Sequence, residues 1–324
     1  VAGTLLLKGN GSMINKKKSV TVRIRRLAKP YLLLLPSIIL IGIFKIYPIM
    51  YSVVGSMFKI GKGGVSRFVL LQNYISLFNE ATFLNAFAVT LKFCILATVI
   101  QILLAVALAM FLNRNTKAVR ISRTLLYIPV AINMVIACTV WNMFFSTSTG
   151  LLNTFLDAMG LPEQPFLTSP KQALGVLIFI CCWKGTSYWM MFLLAGLQNI
   201  NASVYEAGKI DGTNPVTEFF KITLPMLKNS MMFVIVSDTL INIFMFSPVY
   251  LLTNGGPSMS TDTLMYEAYS SAFSFGNYPR AYTLVTIMLM LAIAIAGLQF
   301  FLMKDRDDEK RAKRRRLRYA KKAS

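Results

Sequence analysis

The sequence predicts an all-α polytopic membrane protein with six transmembrane helices. Three observations predict it. Hydrophobic residues make up 55% of the 324 positions and charged ones only 15%, and the mean hydropathy is +0.58, a balance typical of chains that live in lipid. The apolar residues gather into runs long enough to cross a hydrocarbon core, which takes about 20 helical residues. Lys and Arg collect between alternate runs, as they do when one face of a membrane protein meets the cytoplasm.

Taken in order, residues 1–12 precede Met13-Ile-Asn-Lys-Lys-Lys, which reads as a natural bacterial start. They are expected not to be native and are set apart from the fold. Leu5-Leu6-Leu7 is too short for the apolar region of a cleavable signal, and the basic residues follow it. The rest of 1–30 forms a basic N-terminal segment. Six windows then qualify as spans: 31–57, 83–112, 121–146, 173–197, 231–252 and 280–303. Residues 59–82 and 147–172 read as outer loops, poor in charge, and Thr253-Asn-Gly-Gly-Pro257 is a turn cluster beyond the fifth span. Residues 304–324 form a polybasic tail, the composition of a segment lying near anionic membrane lipid.

Orientation follows from the basic residues. The N-terminal segment, the loop after the second span, the loop after the fourth and the tail hold twenty-six Lys and Arg. The opposite loops hold five: Lys59, Lys62, Arg67, Lys171 and Arg280. Both termini and the loop at 198–230 are therefore expected in the cytoplasm. This asymmetry also accounts for the net charge of +21, so no nucleic-acid partner is needed; the basic clusters carry no recognisable nucleic-acid-binding module.

Several chemistries are excluded. The chain has no histidine, which removes imidazole-based catalysis and His metal sites. Cys94, Cys138, Cys181 and Cys182 fall inside apolar runs without metal-ligand spacing and read as buried hydrophobes, with no disulfide framework. Asp238 is the only carboxylate clearly within a span, so a membrane-embedded enzyme or a metal site is not expected. No Gly-x-x-x-x-Gly-Lys-Ser/Thr loop occurs, so this sequence has no means of its own to hydrolyse ATP. No cofactor is implied.

The loop at 198–230 is the most informative stretch. Ala202 to Asp211 reads as a short helix, Asp211-Gly212 as a turn, and Asn214-Pro215 as the cap and first position of a second helix with Glu218 in its first turn. Val216, Phe219, Phe220, Thr223, Leu224 and Leu227 recur at three- and four-residue spacing. On periodicity alone this could be an interfacial helix with no partner or a docking surface.

The residues Glu206, Ala207, Gly208, Gly212, Ile222, Leu224 and Pro225 resemble the EAA signature of inner-membrane subunits of binding-protein-dependent ABC importers, with Gly208 where that family usually has Ala. Such a Gly should loosen the first helix by about 1 kcal/mol. Tyr47-Pro48, Gln72-Asn-Tyr74, Leu77-Phe78 and Leu251-Leu-Thr-Asn-Gly-Gly-Pro257 also resemble the maltose-type and glycerol-3-phosphate-type permeases of the carbohydrate-uptake family. The likeness covers about 31–303. It implies a type I ABC importer transmembrane domain, with 198–230 as the loop that docks on the ATPase. Glu206 would be the acidic contact, Asp211 and Gly212 the turn, and Ala207, Gly208, Ile222, Leu224 and Pro225 the rest of the coupling element. It also implies partners: two ABC ATPase copies, a second homologous permease, an extracellular or periplasmic solute-binding protein and a sugar substrate. The location would be the bacterial inner membrane.

Substrate would sit near the bilayer midplane. At 1.5 Å per residue, Gly185 lies roughly 18 Å into the fourth span and Asn242 roughly 17 Å into the fifth. Trp183 and Tyr188 offer aromatic faces for sugar rings, and Gly185 offers close backbone approach. By resemblance, Gly185, Tyr188 and Asn242 fall on sugar-lining positions of the maltose-type permease, whereas Cys181, Ile241 and Met245 differ from it. Lys45, Lys92 and Lys184 are charges within spans, and these usually face a cavity or a partner. Lys184 is expected either to pair with Asp238 or to favour an anionic polyol. An ion-coupled secondary transporter is the alternative of a different class, but it has no use for an ATPase-docking loop.

Overall fold

A computed structural model describes residues 33–61 and 66–303; residues 1–32, Lys62 to Val65 and the tail 304–324 lie outside them. Among the described residues five helices are long and apolar enough to cross a membrane, or six if one sharply bent pair is a single span. Residues to Gly55 and those from Ser56 onward form two units.

The first unit contributes α1 (Leu33–Gly55). Its π-helical turn at Gly42–Ile46 closes with Tyr47 N–H donating to Gly42 O, one residue before Pro48. Proline clashes with the carbonyl four residues back, and a widened turn relieves the clash.

The second unit opens with an antiparallel hairpin, β1 (Phe58–Ile60) and β2 (Ser66–Phe68), in register Phe58–Phe68. It lies largely in the stretch 59–82 that the sequence reads as a loop. The Asn73 side chain of α2 (Gln72–Phe78) donates to Ser56 O and Phe58 O, at 2.7 and 2.8 Å, and so holds the hairpin's first strand. The core lies between α3 (Ala81–Phe111) and α7 (Ala173–Gln198). Phe93, Ala97, Ala105 and Ala109 of α3 are buried against Leu177, Met190 and Leu193 of α7. Small residues at these positions let the backbones close in, the usual basis of helix association in lipid. Cys94, Cys138, Cys181 and Cys182 are buried and free, as expected.

The third window is not one straight helix. It splits into α4 (Lys117–Ala131) and α5 (Met134–Phe145), bent by 98°. Pro129 removes a backbone donor inside α4, Ile132 and Asn133 are extended, and the Asn133 side chain caps α5 by accepting from Val135 N–H at 2.9 Å. The loop that follows carries α6 (Leu151–Ala158).

The fifth window is also corrected. The second loop helix and the fifth span are one helix, α9 (Pro215–Ile243), and it ends well before the expected residue 252. Asn214 caps its start, accepting from Thr217 N–H at 2.8 Å, with Pro215 at the first position as expected. A π-helical turn at Phe219–Thr223 precedes Pro225 and closes with Leu224 N–H on Phe219 O. The wide turn relieves the clash a proline makes with the carbonyl four residues back and carries the helix through it. Beyond Ile243 the backbone turns at Asn254 and Gly255, both left-handed, and continues through α10 (Leu264–Tyr269) into α11 (Tyr278–Met303).

Candidate functional site

A cavity of about 360 Å³ opens between α7, α9, the end of α4 and the segment after α9. The volume is in the range of a small-ligand pocket. Lys184, Gly185, Tyr188 and Asn242 all line it. Cys181, Ile241 and Met245 line it as well, so the positions that depart from the maltose-type pattern make this wall more apolar.

Trp183 is the exception. It lines a separate groove with Leu104, Pro129 and Phe179, and its ring meets Trp141 edge-on with centroids 5.4 Å apart. Adjacent helical positions diverge by about 100°, so Trp183 and Lys184 cannot share one face. Trp183 packs helices together and does not join the cavity.

The polar floor of the cavity centres on Asp238, 1% exposed. Trp189 Nε1 donates to its Oδ1 at 2.5 Å, and Asn242 Nδ2 donates to its Oδ2 at 3.1 Å. With its amide nitrogen turned to the carboxylate, Gln101 donates to Oδ1 at 2.5 Å. Asn242 Nδ2 also donates to Thr98 Oγ1 at 2.9 Å. Three helices thus meet on one carboxylate, and every donor is uncharged. Gly185 belongs to this arrangement: a Cβ there would lie 2.5 Å from the amide end of the Gln101 side chain. The glycine admits a side chain of α3, a role beside the ligand approach expected of it.

The Lys184–Asp238 pair does not form. Lys184 Nζ donates to Pro129 O at 3.0 Å, to Val130 O at 3.1 Å and to Ile132 O. The last carbonyls of a helix lack intrahelical donors and carry the negative end of its dipole. Breaking the third span leaves such an end inside the bundle, and Lys184 caps it. Gln101 was missed by the sequence reasoning, although a polar residue near the middle of a span was the available signal.

The second site is the loop. α8 (Ala202–Ile210) ends at Asp211, and Gly212 follows with φ +74°, the left-handed turn for which glycine is suited. Glu206, Ala207 and Pro225 are exposed, Leu224 is half-buried and Gly208 is buried. A Cβ on Gly208 would lie 2.6 Å from Ile222 Cδ1 and 3.1 Å from Thr213 Oγ1. Gly208 therefore does more than loosen the helix: it seats Ile222 and fastens α8 to the start of α9. Thr213 strengthens the joint through its hydroxyl, which donates to Gly208 O at 2.7 Å. Ile210, Val216 and Phe220 remain 86%, 66% and 60% exposed, an apolar display beside the acidic Glu206.

Comparison with known proteins agrees with this geometry. Residues 101–306 match the family described as "Binding-protein-dependent transport system inner membrane component". The lactose transport system permease protein LacF of Rhizobium radiobacter is 33% identical over 282 residues, covering 85% of this chain and 94% of LacF. The sn-glycerol-3-phosphate transport system permease protein UgpA of Escherichia coli O6:K15:H31 is 32% identical over 273 residues, covering 84% and 92%. A chain in the crystal structure of a bacterial ABC transporter involved in the import of the acidic polysaccharide alginate shares the fold, with a TM-score of 0.77 at 23% identity, over 88% of this chain and 98% of that one. The chain belongs to the inner-membrane components of binding-protein-dependent transport systems and is a multi-pass membrane protein.

Proposed function

We propose that this chain is the permease subunit of an ATP-driven importer that moves a sugar or oligosaccharide across the cytoplasmic membrane by alternating access. A single observation carries the reading: one unbroken helix, α9, joins the exposed loop at Pro215 to the cavity wall at Asp238 and Asn242. At 1.5 Å per residue its 29 residues span about 43 Å. Force applied to the loop thus reaches the cavity without passing through a flexible joint.

Glu206, Ala207, Gly208, Asp211, Gly212, Ile222, Leu224 and Pro225 form the coupling element, and the exposed Ile210, Val216 and Phe220 supply its apolar contact. The partner is an ATPase in two copies, because the sequence has no phosphate-binding loop of its own. A second permease completes the pathway, and a solute-binding protein delivers substrate from outside. Both termini and the loop face the cytoplasm, on the twenty-six to five distribution of basic residues. Closure of the ATPase dimer draws the loops together and switches access to the cavity. LacF and UgpA, relatives of similar identity, leave a neutral sugar and an anionic polyol as the two substrate classes to be told apart.

Co-purification tests the coupling. Tagged wild-type protein should bring down the ATPase, and Glu206→Lys should cut the yield at least about fivefold by reversing the contact charge. Uptake that persists after deletion of every ATPase subunit refutes the proposal.

A further inference from the structure

Lys184 and Asp238 are the charged residues among those lining the cavity, and neither has its charge available in the way a charged substrate would need. An ammonium has three N–H donors. All three of Lys184's are engaged by Pro129 O, Val130 O and Ile132 O. To reach a carboxylate or phosphate of a ligand, it would have to leave a carbonyl at the end of α4 without a donor, at a cost comparable to the bond gained. Its positive charge also faces the negative end of the α4 dipole.

Asp238 presents the opposite problem. Trp189, Gln101 and Asn242 satisfy its oxygens, but none of them carries a charge. The carboxylate is stabilised without being neutralised. A ligand anion about 8 Å away, at an effective dielectric of about 20, would lose roughly thirtyfold in affinity to this charge. Asn242, with both amide hydrogens given to Thr98 and Asp238, has none left for a ligand. The wall otherwise presents Tyr188, Ser247, Phe244 and Phe246: hydroxyls that give or take hydrogen bonds, and apolar faces on which a sugar ring can lie.

We infer that this cavity selects an uncharged sugar and turns away uronates and phosphorylated polyols. The inference rests on the reading that the cavity is where substrate pauses. Asp238 then acts as the residue that sets the charge of the ligand, and Lys184 as a structural cap.

The test uses the complete importer, with its partner permease and ATPases, in lipid nanodiscs. Equilibrium dialysis against an equimolar mixture of lactose, raffinose, maltotriose, glycerol 3-phosphate and trimannuronate gives the retained compounds by mass spectrometry. Neutral sugar should be enriched over either anion by about tenfold or more. Asp238→Asn should bring that ratio down to about one or below, by lifting the roughly thirtyfold penalty on anions. Met245→Trp, which fills the cavity, should abolish neutral-sugar retention. Anions retained by the wild type, lost in Lys184→Met and lost in Met245→Trp would overturn the inference while leaving the cavity as the site. Retention indifferent to Met245→Trp would instead remove the cavity reading itself. Should Asp238→Asn fail to fold, the wild-type ratio still decides.

Discussion

Asp262 is buried in the segment between α9 and α11, 5% exposed, and its Oδ1 has no hydrogen-bond partner. Burial, and then the charge of Glu267, push its carboxyl up to about 7, while Arg280 opposes the rise. Arg280 in turn bridges Glu80 at 2.8 Å and Glu267 at 2.6 Å, which ties α10 to the starts of α3 and α11. Between the ordinary value of 3.8 and about 7, the folded protein holds a proton that the unfolded chain has released. Stability is therefore greatest on the acid side and falls as pH rises through 7. Protection from hydrogen exchange over residues 255–275, corrected for the intrinsic rise of amide exchange with pH, should fall between about pH 4 and pH 7 in the wild type, and Asp262→Asn should flatten that fall. An equal pH response in the variant would assign it to another group. At this scale the sequence was legible where a residue's role depends on type and spacing, as with Asn214, Pro215 and Gly212. It was misleading for Lys184 and Trp183, whose partners come from α4 and α5 and not from their own helix.

Among the elements, the broken third span is the most consequential. Apolar content alone makes 121–146 one crossing, and the hydropathy of the two halves together is sufficient for it. Pro129 and Asn133 divide it, and the free end is closed by a lysine from a different helix. Lys184→Met should leave three carbonyls without their donor and lower thermal stability by about 1–3 kcal/mol, with Asn133→Ala costing about 1 kcal/mol through loss of the cap on α5. Differential scanning fluorimetry of the purified protein checks both; a Lys184→Met protein as stable as the wild type would show that the carbonyls find other donors. The same contrast holds for α9. Asn214-Pro215 marks its start in the sequence, but the continuation past Pro225 depends on a π-helical turn that no propensity announces.

For the whole molecule, continuity of α9 makes a mechanical prediction. Spin labels at the exposed Val216 and Ile241 sit about 37 Å apart along the helix. Their separation should stay constant when nucleotide closes the ATPase dimer, whereas a change beyond about 3 Å would mark the π-helical turn as a hinge. Composition and local pattern suffice for the class of molecule, the order of its apolar runs and the loop with its caps and turn. These follow from composition and from contacts within a few residues along the chain, where hydrophobic runs and capping residues act locally. Packing of the helices shows that Lys184 serves α4 and not Asp238, that Gly185 makes room for Gln101, and that Trp189, Gln101 and Asn242 surround one carboxylate. The physical reason is that these pairings, apart from Asn242 with Asp238 one turn away on α9, join residues far apart in sequence. Which donor reaches a buried oxygen is settled by how α3, α4, α7 and α9 pack, because within the membrane every polar group must find its partner in the protein.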